Sequence, residues 1–190
     1  MAEELDRRNF LKAAALAAGP AIISARGAND KVNVGWIGVG TRGYASLDWM
    51  HTAEPNNVQI TAICDTYQGY IARGVDRMQT IWGTKPATYT DYKDLLADKN
   101  IDAVFIMTPE HLHHDMTIAA LRAGKHVYVE KPLAHTIEEG WDIVKEWEKS
   151  GKICQVGTQN RSSSLYKKAK DLVQQGMIGD VHFVRAFWYR

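Results

Sequence analysis

From residue 31 onward the polarity of the chain alternates between two periods. VNVGWIG (32–38) is a short apolar run with β-branched residues and a closing glycine, and it predicts a buried strand. A helical stretch follows over 42–52, and VQITAICD (58–65) predicts a second strand. Residues 66–81 predict a helix, with Tyr70, Ile71, Val75, Met78 and Ile81 apolar at mixed three- and four-residue spacing. DYKDLLAD (91–98) predicts a short helix and IDAVFIMT (101–108) a third clear strand. A helix over 110–123 is expected to stop at Gly124, and HVYVE (126–130) to form the next strand. A helix over 136–149 should end at Gly151, before a strand at ICQVG (153–157). Strand, helix, strand repeated in this way predicts an α/β fold, a doubly wound parallel sheet with helices on both faces.

The two ends of the chain read differently. DRRNFLK puts Arg7 and Arg8 ahead of Phe10 and Leu11, and the apolar run AAALAAGPAII that follows has eleven residues. A bilayer span needs roughly twenty. A charged start, a short apolar middle and small residues near Ala25–Gly27 make an export signal over residues 1–30. The paired arginines followed by Phe-Leu-Lys resemble the twin-arginine signal that exports folded proteins, with Asp6 where Ser or Thr is usual. This predicts an exported, periplasmic protein that engages the twin-arginine (Tat) export machinery; the alternative is an amphipathic N-terminal helix on a cytoplasmic protein. At the other end, VHFVRAFWYR has a strand's aromatic and β-branched content and is expected to open a second domain, covering 159–190, that the 190 residues do not complete.

Composition narrows the function. A net charge of +1 leaves no basic stripe for nucleic acid. Cys64 and Cys154 lie far apart inside apolar runs and read as small buried hydrophobes, with no metal or disulfide pattern.

The chemistry gathers where strands end. GVGTRG places Gly38, Gly40 and Gly43 in G-x-G-x-x-G register between a strand and a helix, with Thr41 and Arg42 in the same turn. Such a turn lets backbone touch a pyrophosphate at a helix N-terminus. The second strand ends in Asp65, 22 residues beyond Gly43, where an acid accepts from ribose hydroxyls and repels a 2′-phosphate. NAD is therefore favoured over NADP, although Arg42 or Arg73 could accommodate a phosphate. TPEHLHHD brings Thr108 and Pro109 to a third strand end and His111, His113 and His114 to a helix start. No acid or cysteine completes a metal set, so one histidine bonding toward the cofactor is the better reading. VYVEKP then delivers Glu130 and Lys131 to the same rim. A lysine there can hydrogen-bond a substrate hydroxyl and carry its proton, with Glu130 orienting it; a surface ion pair before a turn is the plainer alternative.

GVGTRG, AICD, TPEHLHHDMTIAALRAGKHVYVEKPLA and GTQNRSSSLYKKAKDLVQQGMIGDV together resemble the Gfo/Idh/MocA oxidoreductases, from about residue 32 to the end. The resemblance implies a Rossmann domain (31–158) followed by an α/β domain with a mostly antiparallel sheet. It implies Lys131 as the catalytic lysine, dinucleotide contacts at Gly38, Gly40, Gly43 and Asp65, and an undefined task for His113. It makes substrate or cofactor contacts plausible at Gln159, Asn160 and Arg161. The expected activity is hydride transfer between a nicotinamide cofactor and a sugar, cyclitol or related polyol, in a homo-oligomer when the protein is full length. Two alternatives stand beside it: an NAD-dependent glycosidase with no net redox change, a group expected to have another residue at position 131, and a non-catalytic dinucleotide-binding module.

Overall fold

The computed structural model describes residues 31–187. The expected export segment, with Arg7 and Arg8, lies outside the described residues. Six strands form one parallel sheet: β1 (Val32–Ile37), β2 (Val58–Cys64), β3 (Ala87–Tyr89), β4 (Ala103–Ile106), β5 (His126–Glu130) and β6 (Cys154–Gly157). Their order is β3-β2-β1-β4-β5-β6, every pair parallel. This is the doubly wound Rossmann arrangement, in which the winding direction reverses between β1 and β4. The helices are α1 (Thr41–Ala53), α2 (Gln68–Trp82), α3 (Tyr92–Ala97), α4 (His113–Arg122), α5 (Ile137–Ser150) and α6 (Ser164–Gln174).

Register aligns the carboxyl ends of the strands into one rim. Ile37 stands opposite both Cys64 and Ile106, Ile106 opposite Val129, and Glu130 opposite Gly157. Alternation along each strand feeds two cores. Ile37, Val104, Ile106, Val127 and Val129 join Leu95 and Leu96 of α3 and Met116, Ala120 and Leu121 of α4 on one face. Val34, Trp36, Ile60 and Ile63 join Leu47 of α1 and Ile71 and Met78 of α2 on the other. Burial on both faces is why β1, β2 and β4 read as nearly unbroken apolar runs. On the second face Trp36, Phe105 and Tyr128 stack in a row across three strands, with centroids 4.9 and 4.7 Å apart.

The helix ends follow local chemistry. Asp91 caps α3 by accepting from the Lys93 N–H, and Thr136 caps α5 by accepting from the Glu139 N–H. Gly124 and Gly151 take the left-handed conformation just past α4 and α5, at φ +74° and +62°. The AGKH stretch owes its lysine to packing: Lys125 is buried, and its ammonium donates to the carbonyls of Asp98 (2.6 Å) and Ile101 (2.9 Å). Burial lowers its pKa, opposed by Asp98 and Asp102.

Three elements differ from expectation. The helix expected over 110–123 begins as a 3₁₀ turn (Glu110–Leu112), because the Leu112 N–H closes a tight bond to the Pro109 carbonyl, and α4 proper starts at His113. β3 was not expected; three residues carry no readable period. Residues 181–187, expected as the described part of a strand, form neither strand nor helix, and Phe183, Val184 and Phe187 are exposed. High strand propensity without a neighbouring strand to complete the ladder does not make a strand.

Candidate dinucleotide and active site

The first turn after β1 has the geometry of a phosphate cradle. Gly38 has φ +93°, and a Cβ there would meet the Met107 carbonyl at 2.9 Å. At Gly43 a Cβ would lie 2.0 Å from the Gly38 carbonyl oxygen, so α1 reaches the turn this closely only with glycine. Gly40 is open, with its nearest possible Cβ contact 3.8 Å away, and it lines the cleft. It precedes α1, whose first turn has neither a side-chain cap nor an acid. The free N–H groups of that turn, near Thr41, thus remain available to an anion.

Asp65 is fixed from two sides. Its Oδ2 accepts from the Val39 N–H at 2.8 Å and its Oδ1 from the Tyr67 N–H at 3.0 Å. A carboxylate offers about four acceptor sites, so positions remain for ribose hydroxyls. Neighbouring Cys64 is buried and free, and its thiol is pushed up to about 12 by burial first and by Asp65 second. Between these ends and β4 opens a cleft of about 620 Å³, lined by Gly38, Gly40, Asp65, Tyr67, Thr108 and Pro109 among others. A hollow of similar volume, about 640 Å³, lies between α4 and α5, has mostly charged walls and contains none of these groups. Among the described residues, no cluster of three or more His, Cys, Asp or Glu side chains has the placement to hold a metal ion.

The two arginines considered for a phosphate are both committed. Arg73 donates to the Val39 carbonyl at 2.8 Å and lies between the rings of Tyr44 and Tyr70, 4.6 and 4.4 Å from their centroids. Arg42 donates through Nε and an Nη to one oxygen of Glu130, at 2.8 and 2.6 Å. The rest of its guanidinium rests on the Trp49 ring. Glu130 is 4% exposed, and its second oxygen accepts from the Lys131 main-chain N–H at 3.2 Å. It therefore touches Lys131 through backbone and not through the ammonium. Lys131 itself is exposed just past the carboxyl end of β5, two strands from the glycine turn and outside the lining of the cleft, and its ammonium has no hydrogen bond or ion pair among the described residues.

His113 departs from expectation. It is 1% exposed, and its ring nitrogens lie 2.6 Å from the Pro132 carbonyl oxygen and 2.9 Å from that of Thr108. Both nitrogens face main chain and neither faces the cleft, so the ring braces the loop after β4 against the loop after β5. Gln159, Asn160 and Arg161 form an exposed 3₁₀ turn after β6. The Gln159 amide orientation that satisfies its neighbours donates to the Gly157 carbonyl at 2.6 Å and accepts from Arg42. That link, and the one from Arg42 to Glu130, joins residues too far apart in sequence for any spacing rule to pair.

A Rossmann sheet with a glycine cradle and an acid at the second strand end has the form of a dinucleotide-binding domain. The family model for oxidoreductases with an NAD-binding Rossmann fold, Gfo/Idh/MocA, matches residues 32–158, and the chain belongs to that family. It is similar to a glycosyl hydrolase family 109 protein of Shewanella baltica, at 34% identity over 93% of this chain and 44% of that protein. An α-N-acetylgalactosaminidase of Shewanella oneidensis is 36% identical over 79% of this chain and 33% of its own length. The chain thus spans less than half of these relatives. Among solved structures, scyllo-inositol dehydrogenase of Lactobacillus casei, with NAD(H) and scyllo-inositol bound, superposes with a TM-score of 0.69 at 26% identity, covering 80% of this chain and 43% of that one.

Proposed function

We propose that the protein is an NAD-dependent oxidoreductase that moves a hydride between nicotinamide and a sugar, cyclitol or related polyol, with Lys131 as the acid–base group. The observation carrying this reading is the placement of an unpaired lysine on the same rim as the glycine cradle and Asp65. The residues present fit the dinucleotide: Gly38, Gly40 and the start of α1 would hold its pyrophosphate, and Asp65 its adenosine ribose. The bound nucleotide supplies the hydride acceptor. The chain's own contribution is proton handling: as the substrate hydride leaves with its electron pair, Lys131 Nζ takes the hydroxyl proton, and the reverse reaction returns it. Preference for NAD is supported by the engagement of Arg42 and Arg73 elsewhere, which leaves Asp65 to repel a 2′-phosphate.

The names of the curated relatives favour a second reading, an NAD-dependent glycosidase that oxidises, eliminates and re-reduces. Sugar release from a glycoside without net NADH would select it. A purely nucleotide-binding module would show tight binding and no turnover on either substrate class. We also assign the 1–30 segment to twin-arginine export, which would carry the folded protein out with its nucleotide.

The first test identifies the nucleotide released on denaturing full-length protein and assays turnover on a polyol panel. Near-stoichiometric NAD is expected. Lys131→Met should lower kcat by about a hundred- to ten-thousandfold while NAD affinity stays within about threefold. Unaltered turnover in that variant ends the proposal.

A further inference from the structure

Arg42 occupies a place that helix electrostatics disfavours. It sits in the first turn of α1, where the helix already carries partial positive charge and where a cation is opposed. Its compensation lies 88 positions along the chain: two N–H groups converge on one oxygen of Glu130, which is 4% exposed. The remaining Glu130 oxygen accepts from the Lys131 N–H. Arg42 also meets Gln159, which in turn holds Gly157. A single guanidinium therefore ties together the loops that follow β1, β5 and β6. A lysine could supply the charge but not this planar fork, which delivers several N–H groups in fixed directions.

We infer that Arg42 is the positioning residue of the active site: through Glu130 it fixes the main chain at Lys131 relative to the glycine cradle, and through Gln159 it fixes the turn 159–161. The ion pair is a latch between the phosphate half of the site and its proton-transfer half. Glu130 accordingly serves as the acceptor that joins Arg42 to the main chain at Lys131. The inference rests on Lys131 being the acid–base group, as proposed above, and goes beyond it in assigning what holds that lysine in place.

The test uses the full chain, Arg42→Lys, and the paired variant Arg42→Met/Glu130→Gln. The paired variant removes the buried carboxylate together with its half-exposed partner charge at nearly constant shape, so its thermal midpoint is expected close to the parent's. Arg42→Lys keeps the charge and serves if the paired variant does not fold. Backbone amide exchange, followed by mass spectrometry on peptides covering 126–135 and 157–162, should speed up about tenfold in either variant. With NAD affinity within about threefold, kcat should fall about a hundredfold. A merely structural pair would instead regain kcat together with the thermal midpoint in the paired variant, and that result overturns the latch. Unchanged exchange at 126–135 overturns it as well, whatever kcat does. If the parent protein shows no polyol turnover while the variants still exchange faster, the oxidoreductase reading fails and the latch stands.

Discussion

At the rim, one buried imidazole lies between two main-chain carbonyl groups. The ring of His113 lies within hydrogen-bonding distance of the Thr108 and Pro132 oxygens, and both belong to loops that carry site residues. His113→Ala would remove the ring that sits between these oxygens and leave a void where a 1%-exposed side chain was. A neutral imidazole donates to one of the two, and a carbonyl deprived of its donor costs about 1–3 kcal/mol, so a loss of that size is expected from the urea midpoint. NAD affinity should fall less than tenfold, because the ring does not reach the cleft; a complete loss of binding would restore His113 as a direct cofactor contact. The TPEHLHHD stretch thus announced an important histidine without announcing its purpose. Spacing shows that His113 opens a helix near a strand end, but not that its nitrogens meet main chain arriving from residue 132.

At the scale of elements, the approach of α1 to the glycine turn decides whether an anion fits. In Gly43→Ala the new Cβ would lie 2.0 Å from the Gly38 carbonyl oxygen, so either the helix or the turn must move. Overpacking of this kind costs about 1–3 kcal/mol. Because the displaced atoms are the cradle itself, NAD affinity should fall by at least about a hundredfold, measured by calorimetry; unchanged affinity would show that the phosphates bind elsewhere. Most elements were legible because their periods are long and clean: β5 spans 126–130 as expected, and Gly124 and Gly151 close α4 and α5. The α6 helix could have been read from Leu165, Ala169, Leu172 and Val173, whose spacing is helical. β3 could not, since its three residues are a strand only because β2 pairs with them.

For the whole molecule, the nucleotide belongs to the folded state alone. Its binding should raise the thermal midpoint in proportion to the logarithm of its concentration, by about 2.7 kcal/mol of stability at a hundred times the dissociation constant. Thermal scans at equal concentrations of NAD and NADP should show the larger shift with NAD, because a carboxylate at Asp65 in the cleft would repel a 2′-phosphate and both nearby arginines are bound to other groups. A larger shift with NADP would mean that Arg42 or Arg73 leaves its present partner to meet the extra phosphate.

By itself the sequence determined the class of sheet, the glycine cradle, the acid at the second strand end and the arrival of Glu130 and Lys131 at the rim. Each is a local property, a period of two or 3.6 or a residue type at a strand end, and local properties survive in one dimension. The tertiary structure decided which groups meet. Strand order brings residue 42 to residue 130 and residue 113 to residue 132. Those meetings make Arg42 the partner of a buried carboxylate and set the ring of His113 between two loops. The physical reason is that a hydrogen bond or an ion pair depends on distance in space, and the parallel crossovers of this fold set that distance without leaving any trace in spacing along the chain.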